Sequence, residues 1–296
     1  MGPRALLLCL LLPAAAAAQS QDSAGDPGRA DLKRPWFGAA AGYSDSSGLA
    51  YRSGRLSGSA PLGRGFALDG GFSDHRILRD GWLPGELYDA GLRLSGKAGR
   101  YAFSAGLRSA SDRPFHSVHE TDLSLNASRT IRSEGRHRLS FGLAYSSRRS
   151  FARGMPFPYL LYGYYSEKLV FNLPFSAEWR PSRALALSAA YVPPKYLRAG
   201  VSRRFSDRLR LKAEYASGAL QYDLAGRQDK SYSVFIEQRT AGLWTFYGPA
   251  GDYYLSLWTG WTLGGSYYSG KTYDEHRDER STGSSPAVSI GLYRLF

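Results

Sequence analysis

From Trp36 onward the chain is a series of segments of roughly ten residues in which apolar and polar side chains alternate. Successive side chains of an extended strand point to opposite faces, so this period of two predicts strands with one apolar face. In one segment the apolar positions are Tyr101, Phe103, Ala105 and Leu107, and the polar face carries Ser104, Gly106 and Arg108.

Fourteen such segments can be read, although the twelfth and thirteenth are aromatic on both faces and the count could be as low as twelve. Alternating segments of this length separated by turn residues are typical of transmembrane β-barrels. We therefore predict an all-β, antiparallel transmembrane β-barrel of about 14 strands. In order, the segments are Trp36–Ser44, Leu49–Ala60, Gly65–Ser73, Leu87–Ala98, Tyr101–Ser109, Val118–Thr130, His137–Ser147, Lys168–Arg180, Ala184–Val192, Tyr196–Phe205, Arg208–Ser217, Ser231–Tyr247, Asp252–Tyr268 and Pro286–Phe296.

The links between the segments alternate between tight turns and longer connections. Turns such as Gly96–Arg100 and Arg180–Arg183 are short and rich in Gly, Pro and Ser, whereas Asp74–Glu86 and Gly218–Lys230 are long. Outer-membrane barrels have short periplasmic turns and long outside loops, so the series predicts two periplasmic termini. A soluble β-sandwich shows the same alternation within each strand, and the loop lengths and both chain ends favour the barrel.

The first residues predict export. Arg4 precedes the apolar run Ala5–Leu12, and Ala16–Ala18 gives a small-residue cleavage site, which together indicate a secretory signal peptide over residues 1–18. The single cysteine, Cys9, lies inside this peptide, so the mature chain has no thiol chemistry. Residues 19–35 are predicted to be a disordered periplasmic lead, and residues 36–296 to be one barrel domain.

The last segment, PAVSIGLYRLF, alternates up to the final residue, Phe296. It resembles the C-terminal signature of bacterial outer-membrane proteins, which implies recognition of this strand by the barrel-assembly machinery with Phe296 as the signal. Arg294 departs from that signature. We expect the segment to close the barrel against Trp36–Ser44, with Val288, Ile290 and Leu292 facing lipid.

The chain carries a formal net charge of +13, and a strongly basic chain suggests an anionic partner. Scattered basic residues in an exported chain argue against nucleic acid and for outer-membrane lipid, lipopolysaccharide or small solutes. By parity, eight basic residues are expected to face the lumen and to favour anions. They are Arg93, Arg108, Arg198, Arg204, Arg208, Arg210, Lys212 and Arg239. The alternative is a neutralised network with lumenal acids such as Asp89 and Glu214.

The stretch Arg148–Glu167 is interpreted as a long apolar loop. Long ordered loops are often functional, so it is expected either to enter the barrel mouth as a constriction or to pack on the rim. Its candidate constriction residues are Met155, Phe157, Tyr159 and Tyr162.

Candidate chemistry is sparse. His116, His119 and Glu120 lie close in sequence but begin a strand, and no further ligand follows at a recognisable spacing, so no metal site is predicted. No nucleophile motif, phosphate loop or dinucleotide fingerprint is present. We therefore expect neither a cofactor nor catalysis.

One run is organised as strand, Arg-Pro turn, strand, Pro-Pro link, strand, Ser-Asp turn and strand. It reads FNLPFSAEWRPSRALALSAAYVPPKYLRAGVSRRFSDRLRLKAEYASG and is preceded by PFPYLLYGYYSEKL. From about Met155 to the end, the chain resembles an uncharacterised family of bacterial outer-membrane barrels, a domain of unknown function. The resemblance implies a barrel in the outer membrane and brings no activity.

Three functions are compatible with this sequence. The first is a porin-like passive channel for small hydrophilic solutes with a preference for anions. The second is a non-conducting barrel with a structural or surface-interaction role, and the third is an outer-membrane hydrolase.

Overall fold

A computed structural model describes residues 34–46, 48–63, 65–79, 82–148, 154–192, 196–248 and 252–296. The predicted signal peptide and all but the last two residues of the predicted lead lie outside these ranges. No helix among the described residues is long and apolar enough to cross a membrane.

The described residues form sixteen antiparallel strands that pair in chain order, and the last strand returns to pair with the first in a closed barrel. The strands are β1 Trp36–Asp45, β2 Ala50–Gly63, β3 Phe66–Arg79, β4 Glu86–Ala98, β5 Tyr101–Ser111, β6 Asp122–Glu134, β7 His137–Ser146, β8 Phe157–Tyr165, β9 Leu169–Leu173, β10 Ser176–Trp179, β11 Leu185–Val192, β12 Tyr196–Arg204, β13 Leu209–Tyr222, β14 Ser233–Tyr247, β15 Tyr253–Gly270 and β16 Arg277–Leu295.

The closing contact is the one the sequence predicts. β1 and β16 pair antiparallel from Trp36 opposite Leu295 to Ser44 opposite Ala287. On the outer face of β16, Val288, Ile290 and Leu292 are all exposed. Closure gives every strand two partners, so the sheet has no free end strand.

The predicted count of about fourteen strands is wrong, and two segments account for the difference. Lys168–Arg180 is a hairpin of β9 and β10 rather than one strand, with Asn172 opposite Ser176. The amide of Phe175 donates to the Asn172 carbonyl at 2.7 Å and closes the reversal.

The second additional strand is β8, which lies inside the stretch predicted to be a loop. Phe157, Tyr159 and Tyr162 belong to this wall strand, and Met155 lies in the link before it. The prediction that these three strand residues belong to a loop is therefore wrong, because β8 pairs with β7 along the barrel wall from His137 opposite Tyr164 to Ala144 opposite Phe157.

The two ends of the barrel differ. At the end carrying Trp36 and Leu295, here the terminal end, connections span only a few residues, such as 99–100 and 135–136. At the opposite, distal end they include the longer links 112–121 and 223–232. Wall height also varies, since β9 and β10 have 5 and 4 residues whereas β15 and β16 have 18 and 19.

Side-chain parity separates an apolar exterior from a largely polar interior. Residues that pair across strands share a face, and one such row runs through Leu92, Leu107 and Leu123, all exposed. Leu92 is 61% exposed although it lies in mid-strand. An exposed apolar belt of this kind on a closed barrel is suited to contact with lipid.

Candidate functional site

Opposite walls of the barrel meet at the distal end. β5 and β13 are eight strands apart in the ring of sixteen, so they face each other across the lumen. The amide of Asp223, directly after β13, donates to the carbonyl of Ala110 in β5 at 2.8 Å. A round barrel of sixteen strands would enclose an aqueous channel, and this contact shows that the distal half is flattened instead.

An apolar cluster fills the flattened part, and we call it the distal plug. Its members come from strands and links on both sides of the lumen, and each is at most 6% exposed. They are Leu49, Leu83, Leu87, Tyr222, Val234, Ile236 and Tyr267. Fully burying one large apolar side chain stabilises a protein by about 1.5–3 kcal/mol, so the plug is a stable part of the fold.

Three contacts span the lumen around the plug. Tyr51 donates from its hydroxyl to Oε1 of Gln238 at 3.3 Å. The rings of His75 and Tyr222 lie 6.4 Å apart, and the Trp82 ring lies 5.6 Å from that of Tyr267. The cavity left between these residues has a volume of about 40 Å³, which is room for a few water molecules and for no larger solute.

A charged cluster holds the distal links together, and we call it the distal lock. The Glu120 side chain is fully buried, and its Oε1 lies 3.2 Å from Nη1 of Arg227 and 3.7 Å from Nζ of Lys230. These residues come from the links 112–121 and 223–232, which follow the opposing strands β5 and β13. The lock therefore reinforces the contact between the two walls.

A second ion pair extends the lock to the link after β7. Nε of Arg148 lies 3.2 Å from the Asp223 carboxylate, and both side chains are about nine-tenths buried. The same carboxylate accepts a hydrogen bond from the Ser233 hydroxyl at 2.5 Å. Breaking a buried pair by removing one partner is strongly destabilising, so the links are fixed to one another.

The environment of Glu120 keeps it ionised. Burial alone would raise the pKa of this carboxyl, but a hydrogen bond from Ser117 and the charges of Arg227, Lys230 and His116 outweigh burial and lower its pKa below the ordinary 4.5. The carboxylate is therefore charged at neutral pH and pairs with the two cations.

Three of the predicted lumenal cations lie together on one wall. Arg198, Arg210 and Lys212 share the inward parity of β12 and β13. Nζ of Lys212 lies 2.5 Å from the Glu214 carboxylate, and Nε of Arg198 lies 3.7 Å from it. Arg210 lies 4.5 Å over the Phe246 ring. Two cations share one carboxylate, so this wall keeps a positive balance.

Two more predicted cations lie on the other wall. Arg108 makes a two-pronged contact with Asp89, at 2.8 and 2.6 Å, which neutralises its charge. Arg93 donates to the Ser104 hydroxyl at 3.1 Å.

The remaining three predicted residues are placed differently. Arg204 has the inward parity of its partner Arg210 but lies at the terminal end of β12, and Arg208 lies in the terminal turn between β12 and β13. Arg239 lies at a bulge and pairs with Ser217, which has the outward parity of Leu211. The extra residue of this bulge lies in β15, and β14 itself pairs with β13 without a break. The inward face of β14 was assigned wrongly because apolar and aromatic side chains occupy both of its faces.

Sequence reasoning also missed the plug. Leu87, Val234 and Ile236 have the inward parity that was expected to be polar. The one available signal was the change in composition toward the distal ends of β4 and β14, where apolar residues occupy both faces.

The histidines near Glu120 do not form a metal site. Nδ1 of His116 lies 3.9 Å from the Glu120 carboxylate. Within the described ranges, no group of three or more His, Cys, Asp or Glu residues is arranged to hold a metal ion.

Comparisons with known proteins find similarity only among solved structures. No protein-family model matches the chain, and no curated protein matches it. The resemblance of the stretch from Met155 to an uncharacterised barrel family therefore stays a prediction.

Three solved structures illustrate this similarity. OmpT, an outer membrane protein of Vibrio cholerae, is 10% identical with a TM-score of 0.32, covering 88% of this chain and 96% of that one. CdiB from Acinetobacter baumannii is 12% identical with a TM-score of 0.46, covering 90% of this chain and 60% of that one. An outer membrane channel from Pseudomonas putida F1 is 11% identical with a TM-score of 0.36, covering 89% and 96%. Likenesses this distant carry no conclusion about function.

Proposed function

We propose that this protein is an outer-membrane β-barrel that does not conduct in the closed form seen here and that serves a structural or surface-interaction role. The observation that carries the proposal is the distal plug, together with the hydrogen bond between opposite walls from Asp223 to Ala110. A passive pore needs a continuous aqueous path, and the plug interrupts it.

The exterior supports the membrane placement. The belt of exposed Leu, Phe, Val and Ile side chains would be unfavourable in water over so wide an area, and lipid removes that cost. Short turns at the terminal end support a periplasmic location for both ends of the barrel, since outer-membrane barrels have short periplasmic turns. The proposal includes three kinds of contact. The apolar belt contacts lipid, the distal links contact lipopolysaccharide, and β16 contacts the barrel-assembly machinery.

A second candidate is the porin-like channel with anion preference. It is favoured by the positive balance of Arg198, Arg210 and Lys212 on the lumen wall, and it requires the distal plug and lock to open. The proposal assigns no catalytic role.

Conductance of the purified full-length protein in a planar lipid bilayer tests the choice. We expect insertion without step currents. Regular step currents from the wild-type protein would reject the closed barrel and favour the channel. In that case Arg210→Ser with Lys212→Ser should weaken the anion preference, because both side chains lie on the lumen wall, and Arg208→Ser in the terminal turn is the matched control.

A further inference from the structure

Three arginines project from the outer face of the barrel near the terminal end. Arg129, Arg203 and Arg294 lie near the terminal ends of β6, β12 and β16 and are all exposed. Their parity is outward, since Arg129 pairs with exposed Tyr101 and Arg294 pairs with exposed Phe37 and Tyr253, while Arg203 has the parity of exposed Val201. We call these three residues the arginine collar.

Each collar guanidinium lies over an exposed aromatic ring. Cζ of Arg129 is 5.7 Å from the Tyr101 ring centre, and Cζ of Arg203 is 5.0 Å from that of Phe205. Arg294 lies 5.3 Å from the Tyr253 ring and 4.8 Å from the Phe296 ring. Aromatic side chains anchor a barrel at the boundary between hydrocarbon and head groups, so stacking holds each guanidinium at that depth.

The collar arginines have no carboxylate partner in the described part of the chain. Three other basic side chains at the terminal end have such a partner: Arg34 pairs with Asp252, Arg132 with Glu134 and Arg180 with Glu178. A guanidinium over a ring keeps its hydrogen-bond donors directed outward and suits bidentate contact with a phosphate.

Cations on the exterior near the distal end are arranged differently. Arg76 lies 3.4 Å from Glu86 and Arg79 lies 3.3 Å from Asp45. The charge of these two arginines is balanced by neighbouring acids, whereas the charge of the collar arginines is not.

The distribution of the collar identifies the kind of partner. Around the ring of sixteen strands, the three arginines are separated by six, four and six strands. A single protein partner would cover one side of the barrel, whereas sites spread around the circumference at one depth fit a planar surface.

We propose that the arginine collar binds phosphate groups of phospholipids in the inner leaflet, with a preference for anionic over zwitterionic head groups. The inference rests on the proposed placement of the barrel in a bilayer. In this proposal the collar arginines bind phospholipids of the periplasmic leaflet and do not bind lipopolysaccharide.

Spin-labelled lipids test the collar. The full-length protein is placed in phosphatidylcholine bilayers that contain a trace of spin-labelled phosphatidylglycerol or phosphatidylcholine. The fraction of each labelled lipid with restricted motion then gives the relative association of the two lipids with the protein. We expect about fivefold preference for phosphatidylglycerol at low salt, the order expected for one basic residue near an anionic surface. High salt should weaken the preference, because about 1 M salt shortens the screening length to about 3 Å.

The collar variant is Arg129→Gln with Arg203→Gln and Arg294→Gln, and its preference should fall close to unity. The matched control removes three exposed distal charges through Arg76→Gln, Arg79→Gln and Arg113→Gln, the last in the link 112–121, and should retain the preference. Heat-modifiable migration on gels checks that each variant is folded.

Two failures are distinguishable. Absence of any restricted lipid signal would show that the barrel does not sit in a bilayer and would reject the proposed function. A restricted signal with equal association of the two lipids would overturn the proposed lipid binding by the collar. A preference that the collar variant keeps, or that the distal control loses to the same extent, would overturn it as well. In the case of equal association, a protein partner would be the remaining use for these arginines.

Discussion

At the scale of single residues, β14 and β15 leave no room for a side chain where Gly242 pairs with Gly260. A Cβ added at Gly260 would lie 2.4 Å from the Ala241 carbonyl oxygen and 2.6 Å from the Gly242 Cα. Both neighbours are backbone atoms, which cannot rotate away, so the strands would have to separate.

We predict that Gly260→Ala lowers the free energy of unfolding by about 1–3 kcal/mol, as for overpacking in a well-packed interior. The control is Gly71→Ala, where the nearest atom to the added Cβ would be 3.6 Å away, and its effect should stay within about 0.5 kcal/mol. Urea unfolding in lipid vesicles measures both, and equal stability of the two variants would contradict this reading of β14 and β15.

Glu120 gives a pH prediction. Its pKa is lowered in the folded protein, so its contribution to stability is present above the ordinary pKa of 4.5 and is lost as the pH falls through the folded value. The protection factors of amides in the links 112–121 and 223–232, corrected for the intrinsic pH dependence of hydrogen exchange, should therefore fall on acidification below that pH.

Glu120→Gln should show fast exchange in these links already at neutral pH and little further change with acid, because it removes the group that titrates. His119→Gln is the control, since the His119 side chain is exposed and is not among the groups that shift the pKa of Glu120. Wild-type protection that is independent of pH would exclude Glu120 as the titrating group of the lock.

At the scale of elements, the hairpin of β9 and β10 is a chain reversal that the alternation of apolar and polar residues does not reveal. Its loop of three residues, Leu173 to Phe175, places Asn172 opposite Ser176. In this register, odd-numbered residues pair with odd-numbered residues. One face of the hairpin therefore carries the same residues as one face of a single strand would: Leu169, Phe171, Ala177 and Trp179. Because thirteen residues also suit one transmembrane crossing, neither period nor length could reveal the reversal, and Pro174 was the one cue.

Most of the wall could be predicted from sequence because lipid imposes strict alternation on its outer face. The closing pair of β1 and β16 and the antiparallel order follow from that alternation. The plug and the lock could not be predicted, because they depend on opposite walls coming together and local periodicity carries no information about such contacts. β8 was missed because its sequence FPYLLYGYY is aromatic or apolar on both faces.

Engineered cysteines test the hairpin. Val170 pairs with Glu178, so Val170→Cys with Glu178→Cys should form an intramolecular disulfide, the Cα atoms of paired residues being within bridging range. In a single continuous strand these positions would be roughly 26 Å apart and could not bridge.

The control is Val170→Cys with Ala190→Cys, since Ala190 pairs with Ser176 instead and lies two strands away. Non-reducing peptide mass spectrometry reads both variants. A cross-link in the control and none in the test pair would refute the observed register.

At the scale of the whole molecule, the flattened distal half separates this barrel from an open sixteen-stranded cylinder. The plug joins β4 and the links before β2 and β4 on one side to β13, β14 and β15 on the other. Solute passage should therefore depend on the plug rather than on strand number.

Liposome swelling with small sugars measures this passage. We predict no swelling above background for the wild-type protein and measurable swelling for Leu87→Ala with Tyr222→Ala, which removes two of the largest plug side chains. Leu92→Ala with Leu107→Ala on the exposed outer face is the control and should leave permeation unchanged. Swelling by the wild type equal to that of the plug variant would mean that the plug does not limit passage.

The pairing of β1 with β16 has a consequence for how the protein is made. Trp36 and Leu295 are brought together only after every intervening hairpin is in place, so closure is the most non-local step available to the chain. Loop-closure entropy opposes such a step until the local contacts have formed. During biogenesis the protein therefore passes through an open sheet with two unsatisfied edges, and this intermediate, rather than the finished barrel, is the species that is vulnerable to aggregation and most in need of a catalyst for insertion.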